Sequence, residues 1–243
     1  MTQRYVALVP AAGIGARMKS DRPKQYLPLC GKPLMWHTLT ALSQLALIDQ
    51  VALILSPDDG WFDDFQWAMP KLSIYRVGGA TRAESVYRGL LSLALADTDW
   101  VMVHDAARCC LSRPLLERFI AQIACDPVGG LLALPVSDTV KRADTQDRVM
   151  ATLPRTDLWL AQTPQMFRAA TLEQALLNIP FDSATDEASA IESLGLAPRL
   201  VEGEASNLKV TWPHDLALAQ AILHAHSALT YDSEREDTVP SLG

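Results

Sequence analysis

Two short stretches near the N-terminus carry the residue types needed to hold a polyphosphate. Val9-Pro10-Ala11-Ala12-Gly13-Ile14-Gly15-Ala16-Arg17-Met18 leaves the apolar run Tyr5–Val9 through a turn of small residues, and Arg22-Pro23-Lys24-Gln25 follows closely. Small residues let backbone N–H groups approach an anion, because no bulky side chain intervenes. Arg17, Lys19, Arg22 and Lys24 set four cations against the single acid Asp21, a local charge of 4 − 1 = +3 in a chain of net charge −7. Guanidinium and ammonium groups beside such a loop supply the counter-charge that a triphosphate needs. The chemistry on offer is a clamp for a nucleoside triphosphate.

Two commoner glycine loops do not fit. A dinucleotide fingerprint would place a third small residue at Met18 and an acid about 20 residues further on, closing a second strand. Here the next strand-like run, Val51–Leu55, comes much later. The string G-x-x-x-x-G-K-[ST] does not occur. From this pattern alone, an ordinary tight strand-to-helix turn with solvated cations stays open.

Further candidates recur at the ends of apolar runs. Asp105 follows Trp100-Val101-Met102-Val103-His104, where its carboxylate could serve Mg²⁺, a cation satisfied by few carboxylates and several phosphate oxygens; it could equally cap the next segment. Gly78-Gly79-Ala80-Thr81-Arg82-Ala83-Glu84-Ser85 follows a strand and offers backbone donors for a base or ribose, or simply starts a helix. Asp138-Thr139-Val140-Lys141-Arg142, Thr163-Pro164-Gln165 and Thr185-Asp186-Glu187 are polar clusters in loops or helix starts, with Thr185 or Asp186 as a possible N-cap. Lys209 is a lone lysine beside Asn207 and Leu208, before Val210-Thr211.

The elements that must position these groups alternate. Strands are expected at Tyr5–Val9, Val51–Leu55, Leu72–Val77, Trp100–His104 and Gly130–Val136. Helices are expected from Pro33 and over Arg82–Leu95 and Pro114–Ala124. Near-continuous apolar strands separated by helices predict an α/β fold, Rossmann-like, with a mainly parallel sheet covered on both faces. Ligands bind such sheets beyond the carboxyl ends of the strands. Residues 137–162 break the rhythm and read as an extended β-arm, with short extended patches at Arg148–Leu153 and Leu158–Ala161. Helices at Ala169–Leu177 and Asp186–Leu194, short strands at Arg199–Glu202 and Asn207–Val210, and a helix from Pro213 fading near His226 complete one domain over residues 1–226. The polar, acidic residues 227–243 are expected to be a mobile tail.

Composition narrows the class. At 243 residues, 49% hydrophobic and 20% charged, the chain can bury a sizeable core. The acidic pI of about 5.2 argues against a nucleic-acid partner. No apolar run approaches the ~18 residues of a membrane helix, and no secretory segment precedes the first strand, so no membrane partner and a cytoplasmic location are expected. Cys30, Cys109, Cys110 and Cys125 have neither a disulfide framework nor metal-ligand spacing, and the five histidines are scattered.

Taken together, these motifs resemble the 2-C-methyl-D-erythritol 4-phosphate cytidylyltransferase family. The resemblance runs from Val6 to about Ile222. It rests on the first loop, Pro23-Lys24-Gln25-Tyr26, Arg82-Ala83-Glu84-Ser85-Val86, His104-Asp105-Ala106-Ala107-Arg108, Asp138-Thr139, Gln162-Thr163-Pro164-Gln165, Thr185-Asp186-Glu187 and Asn207-Leu208-Lys209, in that order. The first loop is shared with many nucleotidyltransferases; the series is far more specific. The resemblance implies transfer of a cytidylyl group from CTP to methylerythritol 4-phosphate, with Mg²⁺ and release of pyrophosphate. In matching positions, Arg17, Lys24 and Lys209 are the catalytic cations and Asp105 serves the metal. Ala11, Ala12, Gly13, Gly79, Ser85 and Ala106 shape the CTP site; Arg108, Thr139, Arg155, Thr163 and Thr185 address the acceptor. The family is dimeric through its arm, so the resemblance implies a homodimer and makes Thr139 and Arg155 candidates for the neighbouring subunit's site. One departure is Ala80, where the family often carries an acidic or otherwise polar residue. The sequence leaves two rivals: a cytidylyltransferase for another acceptor such as ribitol 5-phosphate, and a nucleotide-binding regulator without activity, against which the joint retention of Arg17, Lys24 and Lys209 argues.

Overall fold

Alternation along the first strand, β1 (Tyr5–Pro10), sets the layering of the molecule. Val6 and Leu8 enter one buried cluster, and Ala7 and Val9 enter another on the opposite face. Successive strand side chains point to opposite faces, so a strand apolar at every position must be covered twice. In the computed structural model, which describes residues 3–13, 15, 18 and 20–236 with side chains to residue 226, helices supply both covers.

After β1 come the short hairpin strands β2 (Pro28–Leu29) and β3 (Lys32–Pro33), α1 (Leu34–Gln44), β4 (Gln50–Ile54), β5 (Leu72–Tyr75), α2 (Arg82–Leu91), β6 (Trp100–Val103), α3 (Arg113–Ile123) and β7 (Gly129–Pro135). Then follow β8 (Val140–Ala143), β9 (Val149–Leu153), β10 (Trp159–Arg168), α4 (Ala169–Asn178), α5 (Glu187–Glu192), β11 (Arg199–Glu202) and α6 (Asp215–Glu236). Met35, Leu39, Leu116 and Phe119 of α1 and α3 pack on the face with Ala7 and Val9. Val86, Leu90, Leu172 and Ile191 of α2, α4 and α5 pack on the face with Val6 and Leu8. At ~25 cal/mol per Å², each fully buried side chain of this size contributes roughly 1.5–3 kcal/mol.

The seven-stranded sheet has the order β11-β7-β10-β6-β1-β4-β5. Strand β10 runs antiparallel to both neighbours, β6 and β7; the others share one direction. From β1 the chain builds outward through β4 and β5, then returns to add β6 on the other side. The crevice beyond Pro10 and Val103 is therefore the switch point of the sheet, the place where such folds bind ligands.

The α/β architecture agrees with the sequence expectation, and three local readings need correction. Thr163-Pro164-Gln165 lies inside β10 rather than in a loop; the strand continues because Met166 and Phe167 are fully buried and pair with Met102 and Val101 of β6. The ladder shifts register between Ala161 and Gln165, which accommodates a proline that has no N–H to donate. Residues 207–210 form no strand: Val210 donates one backbone bond to Ala107 O (2.9 Å), and the buried Asn207 spends its amide on Thr163 O (2.8 Å). The last helix starts at Asp215 and continues past His226 to Glu236, so part of the expected tail is helical; residues 237–243 lie outside the described residues.

The arm is a hairpin in which β8 and β9 pair only with each other as a separate sheet, before β10 carries the chain back. Among the described residues, no helix is long and apolar enough to cross a membrane.

Candidate active site

The first loop leaves β1 with Ala11 N–H donating to Ile54 O at 2.8 Å, while the buried Gln25 amide donates to Ala11 O at 2.8 Å. Gly15 holds φ +67°, and a Cβ there would meet Lys24 Cβ at 2.6 Å. Positive φ is costly for other residues, so this glycine is required both by its own backbone and by the lysine packed on it. Lys24 opens a one-turn 3-10 helix, Lys24–Tyr26, and its Nζ donates to Val210 O at 2.8 Å. Below it, Tyr26 donates to Asp59 Oδ2 at 2.8 Å and stacks on Phe65. The guanidinium of Arg22 lies 5.0 Å from the Trp61 ring centre. These contacts tie the lysine-bearing segment to the protein body.

Asp105, just past β6, is the electrostatic centre. Its carboxylate accepts from Arg82 Nε at 3.0 Å and Lys209 Nζ at 2.8 Å, with Arg108 Nε at 3.6 Å. Burial opposes its ionisation, but Arg82 and Lys209 outweigh that penalty and hold it well below the usual carboxylate range. Its side chain therefore caps nothing; it binds cations. Arg82 in turn grips the buried Glu187 with two bonds, at 2.6 and 3.0 Å. Burial alone would lower the Arg82 pKa, and Glu187 and Asp105 together raise it.

Two cavities meet at this cluster. The first is lined by Ala11, Ala12, Gly13, Lys24, Gly79, Ser85, Asp105, Ala106 and Lys209. The second is lined by Arg108, Thr163, Thr185 and Asp186, again with Asp105 and Lys209. Arg82, Asp105 and Lys209 belong to both walls. Ala11, Ala12, Gly13, Lys24, Gly79, Ser85 and Ala106, expected at the nucleotide, thus face one cavity, and Arg108, Thr163 and Thr185 face its neighbour. Thr139 and Arg155 do not join them within this chain: both sit exposed on the arm and line neither cavity. Arg17 lies outside the described residues.

The turn after β5 departs from expectation. Gly79 N–H donates to Ser85 Oγ at 3.0 Å and Ala80 N–H to Glu84 Oε2 at 2.6 Å, so the backbone donors expected for a base or ribose are taken by side chains of α2. Ser85 is buried and also donates to Thr81 O at 2.8 Å. The turn shapes the cavity wall instead. Thr81 caps α2, and Asp186, not Thr185, caps α5 through Ser189 N–H at 2.9 Å.

Arg82, Glu187 and His104 stand within the motifs, yet nothing in their local sequence assigns them a role. Arg82 and Glu187 are far apart in sequence, and only the fold makes them a pair. His104 is wholly buried; burial lowers its pKa to about 4, against a hydrogen bond to Arg108 O that raises it. Among the described residues, no group of three or more His, Cys, Asp or Glu side chains is placed to hold a metal ion. Asp105 offers one ionised carboxylate with spare lone pairs beside an open cavity. That donor set fits a divalent cation that would arrive with a polyphosphate and take its remaining ligands from it.

The arrangement can hold a nucleoside triphosphate in one cavity and a phosphorylated acceptor in the next, with cations between them. Comparison with known proteins agrees. The family model for 2-C-methyl-D-erythritol 4-phosphate cytidylyltransferase matches residues 5–225. A Chromobacterium violaceum protein of that name is 62% identical over 220 residues, covering 90% of this chain and 98% of its own length. One from Laribacter hongkongensis is 60% identical over 227 residues, 93% of this chain and 98% of its own. Among solved structures, a 4-diphosphocytidyl-2C-methyl-D-erythritol synthase superposes with TM-score 0.82 at 40% identity, covering 92% of this chain and all of that one. The Francisella tularensis 2-C-methyl-D-erythritol 4-phosphate cytidylyltransferase gives 0.79 at 35%, covering 90% of this chain and all of that one. With the family model spanning residues 5–225 and relatives of 60–62% identity over nearly their whole length, the chain belongs to the 2-C-methyl-D-erythritol 4-phosphate cytidylyltransferase family.

Proposed function

We propose that this protein carries out its family's reaction through the two abutting cavities: CTP in the first, 2-C-methyl-D-erythritol 4-phosphate in the second. A phosphate oxygen of the acceptor attacks the α-phosphorus of CTP, a new P–O bond forms, and the bond to the β-phosphate oxygen breaks to release pyrophosphate. The product is 4-diphosphocytidyl-2-C-methyl-D-erythritol, an intermediate of isoprenoid biosynthesis. Two anions must meet, so neutralising charge and aligning the reactants are the main tasks of the protein. The observation that carries this reading is the sharing of Asp105, Lys209 and Arg82 by both cavity walls.

In this reading Lys24 and Arg17 hold the triphosphate, and Lys209 bridges towards the acceptor phosphate. Asp105 holds Lys209 aimed at the boundary, while Arg108, Thr163 and Thr185 receive the acceptor. Mg²⁺, when bound, neutralises triphosphate oxygens, with Asp105 as its protein ligand. A homodimer formed through residues 137–162 brings Thr139 and Arg155 to the neighbouring subunit's second cavity. Its support is the exposed, partly apolar arm, where Met150 is 64% and Leu160 59% exposed.

Pyrophosphate release, measured with each of the four common nucleoside triphosphates, methylerythritol phosphate and Mg²⁺, tests the reading. Turnover selective for CTP and dependent on the acceptor is expected. Equal rates with ribitol 5-phosphate, or no release with any nucleotide, would overturn it.

A further inference from the structure

His104 closes a chain of hydrogen bonds that no role given above uses. Its Nδ1 lies 3.1 Å from Thr163 Oγ1, and its Nε2 lies 3.1 Å from the carbonyl oxygen of Arg108. Thr163 Oγ1 also accepts the backbone N–H of Asp105 at 3.0 Å. The hydrogens in this chain follow by elimination. A carbonyl oxygen can only accept, so Nε2 carries the ring hydrogen. The bare Nδ1 then accepts the Thr163 hydroxyl hydrogen, and the hydroxyl lone pairs receive Asp105 N–H. One neutral tautomer satisfies every group, and all three partners belong to residues lining the second cavity.

The guanidinium of Arg108 makes that anchorage consequential. Its Nη1 donates to Asn207 O at 2.7 Å, and its buried Nε forms no hydrogen bond but pairs electrostatically with Asp105 Oδ2 at 3.6 Å. The aim of this side chain is set by these two contacts together with the position of its main chain, whose carbonyl His104 holds. This ring links the residue just after β6 to Thr163 of β10 and to Arg108, which ends the His104–Arg108 turn.

We propose that His104, as the Nε2–H tautomer, is a positioning residue for the acceptor side of the site, fixing Arg108, Thr163 and the backbone of Asp105 at one mutual spacing. This rests on the reading that Arg108 and Thr163 face the acceptor phosphate. His104 touches neither substrate; it acts through those three residues.

The test uses steady-state pyrophosphate release with each substrate varied in turn. His104→Asn keeps an acceptor near Nδ1 and loses the bond to Arg108; His104→Gln keeps a donor near Nε2 and loses the bond to Thr163. Each is expected to raise the acceptor KM roughly tenfold, the scale of stranding one buried hydrogen-bonding group, with the CTP KM changed less than about twofold. Nitrogen-15 NMR of the unmodified enzyme, independent of whether the variants fold, is expected to show the hydrogen on Nε2 and a bare Nδ1. Hydrogen on Nδ1, or equal rises in both KM values, would overturn the proposal. Arg108→Ala and Thr163→Val serve as references. If these raise the acceptor KM while the His104 variants do not, the positioning role fails and the site reading stands; if they leave it unchanged, both fall.

Discussion

Lys209 Nζ and Asp105 Oδ2 stand 2.8 Å apart at the boundary of the two cavities. The lysine is more than a third exposed while the aspartate is buried, so the pair directs one cation outward from a fixed anion. A charge held this way needs no reorganisation when negative charge develops at the α-phosphorus. Lys209→Ala should therefore lower kcat by about 10²–10³, and the melting temperature should also fall, because buried Asp105 then keeps only Arg82 as a close cation. Stopped-flow pyrophosphate release and a thermal melt check both; unchanged turnover removes Lys209 from the chemistry.

Gly15 and Gly13 share a loop but are not equivalent. Alanine at 15 must adopt φ +67° and collide with Lys24 Cβ, whereas alanine at 13 has no neighbour within 4 Å. Gly15→Ala should cost about 1–2 kcal/mol by urea denaturation and depress turnover by displacing Lys24. Gly13→Ala should leave stability nearly unchanged in the same assay. Equal costs at the two positions would show that Lys24 is not held through Gly15.

These two glycines illustrate what the sequence can and cannot reveal. The small-residue loop after an apolar strand, and its cations, were legible because strand, turn and charge are local patterns. The layering was legible for the same reason: Val6 and Leu8 alternate with Ala7 and Val9. Which glycine is indispensable depends on Lys24 packing against it, a contact made only in the fold. The Arg82–Glu187 pair is likewise non-local, joining the start of α2 to that of α5. Residues 163–165 looked like a loop because a proline interrupts them, yet burial of Met166 and Phe167 keeps the strand going. Residues 207–210 looked like a strand by composition, but their polar groups satisfy Arg108, Gln162 and Thr163 instead of a sheet neighbour.

Tyr26 gives a prediction at alkaline pH. Burial, and then its bond to Asp59, raise its pKa well above the ordinary value near 10. Above pH 10 the unfolded chain releases this proton while the folded protein keeps it, so stability present below pH 10 is lost as pH rises. Urea denaturation should show about 1.4 kcal/mol lost through this group by pH 11, and Tyr26→Phe should lack that component. Identical slopes for the two proteins between pH 9 and 11 would exclude this linkage.

Thr139 and Arg155 supply the sharpest test of assembly, because both are exposed on the arm and line neither cavity of their own chain. If the arm completes a neighbouring site, Lys24→Ala disables the cavity of its own subunit and Arg155→Ala disables the partner's. A mixed dimer then contains one site lacking both residues and one site with Lys24 from one chain and Arg155 from the other. Each single variant should be nearly inactive as a homodimer, while isolated mixed dimers should regain about half of the parent turnover, since one of two symmetric sites is whole. Differently tagged subunits, co-expressed and purified through both tags, provide the sample. Mixed dimers as inactive as either parent variant would place Lys24 and Arg155 in the same subunit's site and confine the arm to holding the two chains together.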